Sequence, residues 1–290
     1  MKKGFDGYYV KCVDDKFVTA VIFGRNVAKK DSVSFVQVIT RDSAHWFEFD
    51  QKEYNSDKKQ FRVSIGNNVV SKEGMTLDLD NGLVKIKCDL KFGPFSPIKY
   101  DAMGFFRFFP FMECRHRITS MNHMVSGAFS IDESEHIFDE ADGYIEGDWG
   151  RSFPKKYLWS QCNSFSENKD LSIAAMCATI PYMGLRFRGK ICVIHFEGKE
   201  YRLATYRGAR VRALEDNRLV VTQGFGRRKK RLEITAVESA QNLNELFAPI
   251  RGKMTRIIKE TIITTVRYDF TIGGKVIFDV TSDISAFEQG

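Results

Sequence analysis

Short runs of apolar and polar residues alternate with period two along most of this 290-residue chain. Such alternation sends successive side chains to opposite faces of an extended backbone, so it predicts antiparallel β-structure. Val33–Thr40 (VSFVQVIT), His45–Asp50 (HWFEFD), Leu83–Phe92 (LVKIKCDLKF) and Ile191–Phe196 (ICVIHF) all read as strands. Turn signals such as Asp14-Asp15, Asn81-Gly82 and Gly273-Gly274 separate the runs. Helix-period patterns are nearly absent, and only Gln241–Phe247 is expected to make a turn or two. Many short strands at this spacing predict a barrel or a sandwich. With 25 Phe, 10 Tyr and 43 % hydrophobic residues, core material is plentiful.

The length suits two ordinary domains or one large all-β domain. A faint internal echo favours two. Tyr8-Tyr9-Val10 leads through Asp14-Asp15 into the apolar run Phe17–Phe23. Much later, Tyr157-Leu158-Trp159 leads through Glu167–Asp170 into Leu171–Ile180, and each copy is followed by two further strand patterns. The expected modules are residues 1–142 and 143–290. The first includes the least regular stretch, 93–122, with Pro94, Pro97, Pro110 and the crowded aromatics Phe105, Phe106, Phe108, Phe109 and Phe111. Such a segment either plugs a barrel or walls a cavity, or it is a crossover packed on the outside.

Charge is unevenly placed: the net +7 divides into −1 for residues 1–145 and +8 for residues 146–290. Much of the excess is the run Arg227, Arg228, Lys229, Lys230 and Arg231, between the strand patterns Leu219–Thr222 and Leu232–Ala236. It reads as a solvated hairpin tip, with transient docking on an anionic membrane surface as the functional alternative. No basic–aromatic stripe or known module accompanies it, so nucleic acid is not an expected partner. Met1-Lys2-Lys3 is followed by no apolar signal core, and the six cysteines form no CxxC. Buried thiols in a reducing cytoplasm are therefore expected, without a zinc or redox motif. His116 and His123 are seven residues apart, which is not a zinc-site spacing, so neither a metal nor a cofactor is expected.

The chemistry concentrates between Met112 and Phe165. In an extended Gly143–Trp149, the side chains of Tyr144, Glu146 and Asp148 share one face. In Tyr157–Phe165, one face carries Tyr157, Trp159, Gln161, Asn163 and Phe165. Burying an unpartnered amide costs about 1–3 kcal/mol, so Gln161 and Asn163 need partners: a ligand, the neighbouring carboxylates or trapped water. Strand-pinning hydrogen bonds would serve equally well.

This segment, GDWG-x-SFP-x-x-YLWSQCN, resembles the signature of the tocopherol cyclase family at Trp149, Gly150, Phe153, Pro154, Trp159, Gln161, Cys162 and Asn163. Met103-Gly104, Met112-Glu113-Cys114-x-His116 and Leu246-x-Ala248-Pro249-x-x-Gly252-x-Met254 with a closing Glu288 are similar to its bacterial branch. The resemblance implies an all-β fold of two tandem lipocalin-like antiparallel β-barrels (calycin-like), with little helix, shared with carotenoid hydratase-like proteins. It also implies a lipophilic small-molecule partner, isoprenoid or prenylquinol-like, held in a β-barrel cavity. The plant enzymes close a chromanol ring by protonating a trisubstituted alkene, after which the phenol oxygen traps the tertiary cation. Such a site needs a protonated acid, aromatic faces and a dry pocket.

Glu146 and Asp148 are the candidate catalytic acids, and Glu146 comes first because the plant signature also has Glu there. Asp148 departs from the signature, which has an amide at that position, and Arg151 and Ser152 stand where the plant enzymes have glycines. Candidate ligand-binding residues are Tyr144, Trp149, Trp159, Gln161, Asn163, Glu113, His116 and His123. Two functions stay open: an isomerase- or lyase-type enzyme that protonates an alkene, and a non-catalytic intracellular carrier. An arginine such as Arg115, Arg117 or Arg151 paired with the carboxylates would favour the carrier.

Overall fold

The computed structural model describes residues 3–28, 32–237 and 244–290. Two compact units emerge. The first comprises residues 3–97, 116–153 and 247–257; the second comprises 98–115, 154–246 and 258–290, apart from the undescribed positions.

The first sheet contains β1 (Gly4–Val13), β2 (Val18–Val27), β3 (Val33–Ile39), β4 (Ala44–Asp50), β5 (Tyr54–Asp57), β6 (Arg62–Ile65), β7 (Asn68–Ser71), β8 (Gly74–Asp80), β9 (Lys85–Phe92), β10 (Cys114–Ile131) and β11 (Ser134–Gly150). Their order is β4-β3-β2-β1-β11-β10-β9-β8-β7-β6-β5, a near-closed eleven-strand barrel. The turn signals act as expected: Asp14 Oδ1 accepts from the backbone N–H of Lys16 and Phe17, and Asn81 Oδ1 from Leu83 and Val84. Alternate residues build the interior, among them Tyr8, Val10 and Cys12 of β1, Phe23 and Val36, Val125 of β10 and Ile145 of β11.

The second sheet contains β12 (Tyr157–Cys162), β13 (Ser172–Tyr182), β14 (Leu185–Phe196), β15 (Lys199–Ala204), β16 (Arg210–Glu215), β17 (Arg218–Gln223), β18 (Lys230–Ala236), β19 (Asn244–Ile250), β20 (Lys253–Ile272) and β21 (Lys275–Gln289). Nine strands follow the order β15-β14-β13-β12-β21-β20-β18-β17-β16, a half-barrel, while β19 pairs with β20 off this path. Its core takes Leu158 and Cys162, Ile173, Ala175 and Cys177, Cys192 and Ile194, and Tyr268.

The all-β expectation is met: four short 3-10 turns are the helical elements among the described residues. Within the expected turn at Gln241–Phe247, residues 241–243 lie outside the described residues and Asn244–Ile250 is strand. The expected division at 142/143 falls inside β11, whose ladder with β1 runs unbroken from Asp142 to Gly150. The internal echo is topological. In each sheet the first strand lies between the second and the last, β1 between β2 and β11, and β12 between β13 and β21.

The aromatic stretch lies on the outside. Met103, Met112 and Ile180 form a small cluster with Phe106, Phe109, Tyr182 and Phe187. Ile180 and Tyr182 alternate with Ile173, Ala175 and Cys177, so they point away from the half-barrel core. Arg202, fully buried on β15, pins this crossover. It donates to the carbonyls of Tyr100 (2.9 Å) and Asp101 (3.1 Å), to Tyr206 Oη (3.0 Å) and to Glu200 Oε1 (2.9 Å).

Candidate functional site

Period-two geometry puts Tyr144, Glu146 and Asp148 on one face of β11, as the sequence predicts. Ile145 between them packs into the barrel core, so the three face outward. A ligand in the barrel cavity would meet the opposite face. The outward face is nonetheless buried: Tyr144 has no exposed surface and Glu146 has 5 %. From β1, Tyr9 stands opposite Glu146 and Lys11 opposite Tyr144 on this same face, both buried.

His116 of β10 brings the acids together. Its Nδ1 lies 3.2 Å from Asp148 Oδ1 and its Nε2 lies 3.6 Å from Glu146 Oε2. The Tyr144 hydroxyl donates to the same Glu146 oxygen at 2.6 Å. Ionised carboxylates only accept, so an imidazole that faces one with each nitrogen is best satisfied when both nitrogens carry protons. Burial opposes that charge, but Glu146, Asp148 and the Asp148 hydrogen bond outweigh it, and His116 ends above its ordinary value. The cluster therefore favours a proton on His116, held between two carboxylates in a dry setting. Tyr144 is pushed far up by burial and by Glu146, so it acts as a neutral donor.

One imidazole and two carboxylates, all within 4.8 Å of one another, also form a donor set that can hold a divalent cation. The 2.6 Å hydrogen bond and the 3.2 Å imidazole contact show how protons alone satisfy the same atoms.

Trp149 lies on the opposite face of β11 from Glu146. Its ring receives Arg117 at 4.7 Å and Lys58 at 5.8 Å. Arg117 also covers Tyr8 at 3.8 Å and is ion-paired with Asp6. Arg115 donates to the Phe109 carbonyl at 2.7 Å, and Arg151 is exposed. His123 is separated from His116, sitting between Phe92 and Phe95 (4.8 Å each), with Nδ1 3.1 Å from Ser120 Oγ. Its Nε2 is buried without a hydrogen-bond partner, and burial holds the ring down to about 3.

That shift has a sign. The unfolded imidazole takes a proton near 6.5 and the folded one only near 3, so stability falls as pH drops through that interval. Urea unfolding between pH 3 and 6.5 is expected to show this proton uptake as a slope of up to about 1.4 kcal/mol per pH unit. His123→Leu is expected to remove roughly one proton's worth of that slope.

The remaining candidates belong to the second unit. Trp159, Gln161 and Asn163 alternate with the core residues Leu158 and Cys162, so they share the outer face of that sheet and are buried there. Gln161 Nε2 donates to Asn163 Oδ1 at 2.9 Å, whereas Gln161 Oε1 is buried without a partner. A ligand hydroxyl would satisfy it. Beside them, Tyr157 hydrogen-bonds Glu288 of β21. Glu113 is half-buried in the loop entering β10.

Sequence reasoning missed Lys11; it offered both His116 and His123 as residues that could orient the carboxylates, and His116 is the one that reaches Glu146 and Asp148. Lys11 leaves a signal, since a lone charge interrupts the apolar strand Tyr8–Val13. The His116 link depends on a hairpin that spans 30 residues and has no local signature.

Residues 83–290 match the tocopherol cyclase-like family. The chain belongs to that family. Over 198 residues, 64 % of this chain, it is 26 % identical to "Tocopherol cyclase, chloroplastic" of Zea mays. That match spans 41 % of the maize protein, less than half its length. Kievitone hydratase from Nectria haematococca superposes with a TM-score of 0.55 at 9 % identity, over 100 % of this chain and 89 % of that one. CghA, crystallised with Sch210972, gives 0.60 at 10 % identity, over 99 % and 88 %. These two structural likenesses carry the fold alone.

Proposed function

We propose that the protein binds a hydrophobic isoprenoid or prenylquinol-like molecule and protonates its alkene, cyclising or hydrating it. The observation that carries this reading is the buried imidazole of His116 bridging Glu146 and Asp148, with Tyr144 donating to Glu146. When the stored proton resides on Glu146, the group is a carboxylic acid in a dry environment, the form an alkene needs. The alkene carbon takes that proton, leaving a tertiary cation. Attack by a phenol oxygen forms a ring, whereas attack by water forms an alcohol. In both cases the attacking oxygen loses a proton, which returns to the carboxylate. His116 sets where the proton rests and Tyr144 fixes the Glu146 oxygen. Membership of a cyclase-like family supports the reading. Contact of Arg227–Arg231 with an anionic membrane surface belongs to the same proposal, because a lipophile of this class partitions into bilayers.

Incubation with prenylated hydroquinones in deuterated water tests the chemistry. One non-exchangeable deuteron on carbon in a cyclised or hydrated product is expected by mass spectrometry. A bound lipophile in native mass spectrometry without deuterium in any product would replace the enzyme with a carrier.

A further inference from the structure

The outer face of the second sheet carries a pocket that the proposed reaction does not use. Val220 and Thr222 of β17 alternate with the core residues Leu219 and Val221, so they point outward. Arg231 and Glu233 of β18 alternate likewise with Leu232 and Ile234. Ladder register sets Thr222 opposite Arg231 and Val220 opposite Glu233. On the edge strand β16 the register shifts between Val211 and Ala213, which makes Arg212 the extra residue of a β-bulge. A bulge re-aims the side chain it carries. Here Arg212 Nε donates to Thr222 Oγ1 at 3.0 Å, so the guanidinium lies over the outer face. The Lys229 main chain is pinned just before β18, where its carbonyl accepts from the Gly273 N–H at 2.7 Å. Arg212, Arg218, Lys229 and Arg231 surround a pocket of about 390 Å³, whose other lining residues are Ala213, Val220 and Thr222. That volume suits a small molecule better than a single ion.

Cations gathered around one pocket repel one another unless carboxylates intervene. Arg218 Nε donates to Glu233 Oε1 at 2.6 Å, and its Nη1 lies 3.6 Å from Glu215. Arg231 is ion-paired with Glu233 and, at 3.0 Å, with Asp269. Burial raises Glu233, but the hydrogen bonds from Arg218 and Arg231 prevail and hold it below its ordinary value. Both guanidiniums are thus compensated and fixed. Among the described residues, Arg212 and Lys229 have no carboxylate within ion-pairing distance, so two positive charges stay unanswered. The hydrogen-bonding groups are equally one-sided. Thr222 Oγ1 already accepts from Arg212, which leaves its own hydrogen to donate, and no other lining side chain can accept. Such a pocket calls for a group that only accepts and carries close to two negative charges. A carboxylate brings one charge and two coplanar oxygens. A phosphoryl group brings nearly two charges and three acceptor oxygens.

We infer that this pocket on the outer face of β16–β18 binds the phosphoryl group of a small molecule, with Arg212 and Lys229 meeting its charge and Thr222 donating to one of its oxygens. The inference stands apart from the alkene chemistry: none of these residues belongs to the Glu146 face, and the test needs no turnover.

Isothermal titration calorimetry of the full chain at constant ionic strength tests it, with pyrophosphate as the probe and citrate as the carboxylate control. Pyrophosphate is expected to bind about tenfold tighter than citrate. Arg212→Gln and Lys229→Gln are each expected to weaken pyrophosphate about tenfold, and the double variant about a hundredfold, while urea unfolding stays unchanged. Lys85→Gln, which removes an exposed charge on β9, should bind like the parent. Sedimentation with vesicles containing phosphatidic acid separates the two sources of such a group. Sedimentation that Arg212→Gln abolishes assigns a lipid headgroup, and its absence assigns a soluble phosphate ester. The inference is overturned if pyrophosphate fails to bind the parent chain, if citrate binds equally well, or if Arg212→Gln/Lys229→Gln binds like the parent.

Discussion

Glu146→Gln should cut turnover by about 10²- to 10⁴-fold while leaving the lipophile bound, because it removes a proton donor and keeps the shape. The amide still accepts from Tyr144, whose hydroxyl lies 2.6 Å from Glu146 Oε2, so the β11 face should keep its packing. The signature that separates an acid from a strut is His116. Burial draws its imidazole down while Glu146 and then Asp148 draw it up, so the loss of Glu146 must lower it. A folded-state titration by nuclear magnetic resonance reads this directly. In the parent protein the raised imidazole contributes stability that is present below its unfolded value of 6.5 and is lost as pH rises through its folded value. That contribution should shrink in the variant. Asp148→Asn is expected to retain more activity, since the family signature has an amide at that position. Loss of binding and turnover together in Glu146→Gln, with a fall in Tm, would make Glu146 structural and leave the proton donor elsewhere.

The second large effect concerns stability. Arg202→Leu is expected to cost about 3–5 kcal/mol, measured by urea unfolding. Its guanidinium and the Glu200 carboxylate are both buried, with side chains 1 % and 5 % exposed. Removing one partner strands the other charge and leaves the Tyr100 and Asp101 carbonyls without their donor. The double variant Arg202→Leu/Glu200→Gln should recover part of the loss, because the unpaired charge disappears with the second change. His195 reports on the same event. Burial holds it below its ordinary value, Glu200 raises it, and Lys99 and Arg202 lower it, so it should rise once Arg202 is gone. An unchanged His195 together with a loss near zero would show that the crossover is anchored by its aromatic contacts alone.

Much of the fold was legible because period two is a local property. The runs at Val33, His45 and Leu83 became β3, β4 and β9 within two residues at each boundary. The run Ile191–Phe196 was only the distal half of β14. Leu185–Lys190, with Arg186, Arg188 and Lys190, reads as a solvated loop until its pairing with Cys177–Tyr182 is known. The common face of Tyr144, Glu146 and Asp148 followed from spacing. Which face it was did not, because Ile145 and Glu146 are both buried and the alternation carries no inside-or-outside mark. Trp149 likewise adjoins the acids in sequence yet lies across the sheet from Glu146. The separation of His116 from His123 follows from spacing as well, since seven residues along β10 put them on opposite faces.

The pairing of each sheet's first strand with its last has a consequence for how the chain is made. When β1 leaves the ribosome, one of its two neighbours, β11, is still more than a hundred residues from synthesis, and β12 must wait almost as long for β21. Asn26 waits longer still, since its side chain donates to the Gly252 carbonyl 226 residues later. Until then β1 and β12 are open edges that can recruit the wrong strand. Yield in cells should therefore depend on whatever shields these two edges during translation, more than on the stability of the finished protein.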